Sequence, residues 1–139
     1  MSRSAKKILV IFHDASRTGA SIVLLRLLNK LAQLRTLEVH VCLPREGAII
    51  ALFDKTIHTH LLDRDQRWNA QKSIFGRITD KVSPKRISNP LLETIEKVNP
   101  SLCYLNTLVA DKQVRLIRKN TQHRIIWHIH ELPLAAGVI

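Results

Sequence analysis

The chain has 139 residues, room for one ordinary domain and too little for two. Apolar residues make up 45%, enough for a real core, and 22 Lys and Arg against 11 Asp and Glu leave a formal net charge of +11. Four glycines, five prolines and two cysteines exclude collagen-like, low-complexity, disulfide-stapled and four-cysteine zinc architectures.

The first apolar run, Ile8 to Phe12, is only five residues, too short for a secretory leader. No segment approaches the roughly 20 apolar residues that span a bilayer. The expectation is a soluble, basic, cytoplasmic protein.

Lys7 to His13 is continuously apolar at its centre, which suits a strand buried on both faces of a parallel sheet. A polar turn, Asp14 to Gly19, follows. Ala20 to Leu34 reads as a helix, with Ala20, Val23, Leu24, Leu27, Leu28 and Leu31 in one apolar stripe and Ser16 or Thr18 as its cap. Glu38 to Leu43 is a second strand, stopped by Pro44. A short helix is expected over Gly47 to Lys55 and a third strand over Thr56 to Leu62.

Asp63 to Asn89 is a basic segment of weak periodicity. Between Asp63 and Arg86 it holds seven bases and three acids, with Trp68, Ile74 and Phe75 among them. A solvated face is one reading of it. A surface making peripheral contact with anionic membrane is another. Nucleic acid is disfavoured, because the few aromatics form no stacking platform and no finger or RNP-like motif is present.

Pro90 to Val98 is a helix with Asn89 as cap and Pro90 at its favoured first position. Leu102 to Asn106 is a strand, Val109 to Lys119 a helix, and Arg124 to His130 a final strand ended by Glu131-Leu132-Pro133. Strands alternating with helices give an α/β class: a doubly wound, mainly parallel sheet of order 3-2-1-4-5. That order puts the first strand between Cys42 and Cys103, a gap of roughly 9–10 Å that exceeds the reach of a disulfide. Both are expected as reduced core residues. The apolar stop at Leu134 to Ile139, where a crossover helix is expected next, reads as a truncated product or half of a larger protein.

Ligands of open parallel sheets bind beyond the carboxyl ends of the strands. Those ends carry His13 and Asp14, Asn106 and Thr107, and His130 and Glu131, which are expected to converge on one rim. Gly19, at a helix start, lets backbone N–H groups approach an anion. Its bland alternative is a tight turn. His58-x-His60 and His128-x-His130 each put two rings on one strand face. A zinc site needs three or four ligands, and the sequence places no further Cys or carboxylate beside either pair. No metal is therefore expected, with His128 as a hydrogen-bonded neighbour and His130, at the strand tip, as the candidate for chemistry.

The succession Ile8-Leu9-Val10, His13-Asp14, Thr18-Gly19-Ala20, Val39-His40-Val41-Cys42-Leu43-Pro44, Tyr104-Leu105-Asn106-Thr107 and Ile126-Trp127-His128-Ile129-His130-Glu131 resembles the N-terminal domain of family 4 glycosyltransferases. These are retaining enzymes of the GT-B fold, built from two Rossmann-like domains. The resemblance spans nearly the whole chain apart from Asp63 to Asn89. It implies an acceptor-side domain, facing a C-terminal domain or subunit that holds most of the nucleotide sugar. Gly19 and Ala20 would lie against the donor phosphates, where many relatives have two glycines. His130 would stand at the reacting sugar as the catalytic histidine, with Glu131 completing an H-E pair, and Asn106 and Thr107 would line the cleft. The implied partners are a nucleotide sugar and a sugar or lipid-linked acceptor, with no cofactor. The family's E-x7-E motif belongs to the second domain; Glu38 and Glu46 have that spacing by chance, in the wrong half. Two other readings stand beside this one. One is a subunit of a split glycosyltransferase, the other a non-enzymatic Rossmann-like binding domain with a basic surface.

Overall fold

A computed structural model describes residues 5–62 and 89–130. Residues 63–88 of the basic segment, the candidate Glu131 and the apolar tail lie outside the described residues.

β1 (Lys6–Ile11) carries apolar side chains at successive positions, so both of its faces must be covered. Both are. Val10 and Phe12 pack under α1 (Gly19–Leu31) with Val39, Val41 and Leu43 of β2 (Leu37–Leu43). Leu9 and Ile11 face the other way, toward α2 (Pro90–Val98) and α3 (Asp111–Asn120), with Cys103 and Leu105 of β4 (Leu102–Asn106). With β3 (His58–Leu61) and β5 (Ile125–His128), the strands form one parallel sheet of order β3-β2-β1-β4-β5. The chain is an α/β, Rossmann-like domain.

Cys42 and Cys103 are free and buried on the α2–α3 face, flanking β1. Burial pushes the Cys42 thiol up to about 12 and the Cys103 thiol up to about 11, so both stay protonated and inert.

Asn89 caps α2: its Oδ1 accepts from the Leu91 and Leu92 N–H groups at 3.0 and 3.3 Å. Thr18 occupies the N-cap position of α1, but its hydroxyl donates to Ser21 Oγ instead of accepting from the backbone. Neither expected cap residue serves α1.

Several expectations are corrected. The helix expected over Gly47 to Lys55 is a single 3-10 turn, Ile50–Leu52. Asn29 of α1 accounts for this. Its side chain donates to Leu52 O and accepts from Asp54 N, taking up backbone groups that a longer helix would need. The first helix ends at Leu31, not Leu34, and β5 ends at His128, so His130 lies beyond the strand. The apolar stripe of α1 is split. Of its members Leu24 and Leu28 are buried, with Leu25 from outside the stripe beside them, while Val23 and Leu27 are 68% and 47% exposed.

The loop after β1 is fixed by a backbone contact. A Cβ on Gly47 would stand 2.4 Å from Ala15 O and 2.5 Å from Ala15 Cβ, and Ile49 N donates to Ala15 O. Only a residue without a side chain fits there. A Cβ on Gly19 would meet nothing within 4 Å. We expect Gly47→Ala to cost about 1–3 kcal/mol in urea unfolding, with Gly19→Ala within about 0.5 kcal/mol of the native chain. Equal losses in the two variants would contradict this assignment.

Candidate functional site

The carboxyl ends of β4 and β5 and the start of α1 border a half-open cleft of about 420 Å³, within the volume range of small-molecule sites. Gly19, Ala20, Asn106, His128 and His130 give it polar and backbone groups. Val23, Leu24, Leu27 and Tyr104 give it an apolar wall. Sheet register explains the grouping. Tyr104 pairs with Ile126 and Asn106 with His128, and all four alternate onto the α1 side. Tyr104 Oη and His128 Nδ1 hydrogen-bond at 2.8 Å, and the rings of His128 and His130 lie 5.7 Å apart. Burial pushes the Tyr104 phenol up, so it remains neutral at physiological pH. The first turn of α1 holds no acidic residue, so its N-terminal partial positive charge meets no carboxylate from that turn.

The expected rim is therefore partly assembled. Gly19, Ala20, Asn106 and His130 share the cleft. His13, Asp14 and Thr107 do not line it. Contacts to β2 and its following loop draw the loop after β1 away: Phe12 N donates to Cys42 O at 3.0 Å, and Ala15 abuts Gly47. Asp14 accepts a hydrogen bond from Ser16 and lies 4.0 Å from Arg45. The Ser16 hydroxyl, chiefly, holds its carboxyl below the usual range.

Thr107 is buried and supports the site through its backbone. Its φ of 90° and ψ of 150° fall in a region that suits glycine almost alone. Two bonds to β5 and its indole hold it there. Thr107 N donates to His128 O at 2.8 Å, and Trp127 Nε1 donates to Thr107 O at 2.9 Å. This turn carries the chain from Asn106 into α3 while locking β5 beside it. Val23, Leu27, Tyr104 and His128 as a lining group escape a reading of strand ends alone. The available signal is that Tyr104 precedes Asn106 by two on one strand face.

A second constellation lies on the other sheet face, toward the amino-terminal ends of β2 and β3. The pairing His40↔His58 sets Glu38-x-His40 beside His58-x-His60. The ring of His40 stacks with that of His58 at 4.7 Å and with that of His60 at 5.3 Å. His40 Nε2 is 2.8 Å from Glu38 Oε1, and His40 Nδ1 is 3.0 Å from His60 Nε2. His58 Nε2 and Lys7 Nζ each stand 4.0 Å from Glu38 Oε1. Burial, above all, lowers the pKa of His40 and of His60, leaving both imidazoles neutral at neutral pH. The hydrogen bond with His40 lowers that of Glu38. β3 itself carries no carboxylate beside His58 and His60; its register with β2 supplies Glu38.

No family model, no curated protein and no solved structure matches the chain.

The backbone of Thr107 gives a direct test. Thr107→Gly and Thr107→Ala both remove the hydroxyl and its buried contacts, but only glycine relaxes at this φ. Thr107→Gly is expected to be the more stable by about 1–3 kcal/mol in chemical denaturation. The reverse order would refute the positive-φ turn.

Proposed function

We propose that this chain is the acceptor-side domain of a retaining, GT-B-type glycosyltransferase. In this reading it acts with a donor-binding domain or subunit to move a sugar from a nucleotide sugar to an acceptor hydroxyl. One observation carries the proposal: Gly19, Ala20, Asn106 and His130, the residues that the resemblance to family 4 assigns to donor and acceptor, line a single cleft. They come from three separate parts of the chain, and the sheet order brings them together.

In this reading the backbone at Gly19 and Ala20 faces the donor phosphates. The N-terminal dipole of α1 stabilises charge developing on the leaving group, where preorganised donors act most strongly. His130 hydrogen-bonds the reacting sugar or the acceptor, and Asn106 orients the acceptor from the tip of β4. His13, Asp14 and Thr107 shape the supporting loops. Water exclusion comes from closure against the donor-binding half.

The test is titration of the 15N-labelled chain with UDP-hexoses and GDP-hexoses. One wall of a two-walled site binds weakly, so saturable shifts are expected at about 1 mM or above. They should centre on Gly19, Ala20 and Asn106, and fade in His130→Ala. Shifts centred elsewhere, no saturable shift with any donor, or unchanged binding in His130→Ala would overturn the assignment. Release of nucleoside diphosphate by the chain alone would overturn the requirement for a donor-binding half.

A further inference from the structure

The cluster of Glu38, His40 and His58 lies apart from the cleft, toward the amino-terminal ends of its strands and on the opposite sheet face. The cleft reading makes no use of it. Its three ligand atoms, one per side chain, all lie within 4.8 Å of one another. We propose that Glu38 Oε1, His40 Nε2 and His58 Nε2 bind a divalent transition-metal ion of the zinc type, tying edge strand β3 to β2.

Geometry and donor chemistry carry the inference. Bonds of about 2.0–2.2 Å in a tetrahedral shell put ligand atoms roughly 3.3 Å apart. The 2.8 Å separation between His40 and Glu38 opens slightly to reach that, and the 4.0 Å separation between His58 and Glu38 closes slightly. The carboxylate turns slightly, and the exposed His58 ring must leave its stacked arrangement with His40, now 20° between ring planes, to aim Nε2 at the shared point. Two imidazoles and one carboxylate suit zinc, with a water in the fourth position; hard cations such as Mg2+ and Ca2+ require oxygen shells.

His60 supplies an independent observation. A ligating imidazole commonly donates its other N–H to an outer partner that fixes its tautomer. His40 Nδ1 already lies 3.0 Å from His60 Nε2. With the ion on His40 Nε2, the His40 ring proton resides on Nδ1 and is donated to His60 Nε2, while His60 carries its own proton on Nδ1. Both rings remain neutral. Because His40 is only 7% exposed, its orientation is set by packing before any ion arrives. Lys7 and Lys97 add positive charge around the cluster. They weaken the site electrostatically, and the Glu38 carboxylate is the one anionic ligand that offsets them.

The test is calorimetric titration of the EDTA-treated, dialysed full chain with ZnCl2, alongside Co2+ absorption spectra and thermal unfolding. One Zn2+ per chain, ligand-field bands of low-coordinate Co2+ and a melting temperature raised by about 5 °C or more with zinc at 100-fold over its Kd are expected. His58→Ala changes an exposed ring and should fold normally, as metal-free circular dichroism will show. It should weaken zinc binding at least about 100-fold, and Glu38→Gln should do the same. His60→Ala touches no ion and should weaken it by about 10–100-fold. Absence of zinc binding by the native chain, or equal binding by native chain and His58→Ala, would overturn the site. Neither result bears on nucleotide-sugar binding at the cleft, so the two readings fail separately.

Discussion

The two-sided burial of β1 is the constraint on which the rest of the structure depends. Leu9, Val10 and Ile11 are all but inaccessible, and neighbouring positions point to opposite faces. Each fully buried side chain of this kind is worth roughly 1.5–3 kcal/mol relative to exposure. No single layer of helices satisfies both faces. α1 must therefore lie on one side and α2 with α3 on the other. Right-handed crossovers then send the chain outward through β2 to β3, and back across the sheet to β4 and β5. The reversal of direction falls at β1 and β4, and the cleft opens at that point.

The loops at the carboxyl ends divide the expected rim in two. On the β2 side, the Ala15–Gly47 approach and the bond from Phe12 to Cys42 hold His13 and Asp14 toward the β2 loop. On the β5 side, Thr107 is held at positive φ by the His128 carbonyl and the Trp127 indole. The cleft lies between these fixed loops, with Asn106 and His130 on its β4–β5 wall and the start of α1 opposite.

The sheet and its order were legible because β1 and β4 carry apolar runs that only a two-sided sheet can bury, and because helical segments separate them. Helix α2 was legible to its last residue because Asn89, Pro90 and the stop after Val98 are local signals. What the sequence did not reveal is long-range. Nothing near Gly47 announces that Asn29 will claim the carbonyl of Leu52 and the N–H of Asp54. Nothing in the stripe of α1 says that Val23 and Leu27 point to a cleft instead of the core. The partnership of Glu38 with His58 depends on the β2–β3 register, which the separate strands do not encode locally. For the site, the tips of β4 and β5 were readable as polar residues after apolar runs. The exclusion of His13, Asp14 and Thr107 was not, because backbone contacts decide it.

The split stripe of α1 has a consequence for what the cleft can hold. Leu24, Leu25 and Leu28 give the helix its hold on the sheet, so Val23 and Leu27 are not needed for docking. Their exposure leaves burial energy ungained within the described residues. Together with the ring of Tyr104 they form an apolar surface, while Asn106, His128 and His130 bring hydrogen-bonding groups to the same space. A purely polar anion would gain nothing from Val23 and Leu27. A purely apolar ligand would strip water from Asn106 and the histidines without replacing their hydrogen bonds. A sugar ring has both kinds of surface: C–H faces that cover apolar side chains, and hydroxyl edges that pair with amides and imidazoles. Under the proposed function, the mixed lining suits the sugar of an acceptor better than a bare phosphate would, and it supports that proposal more directly than the helix dipole does.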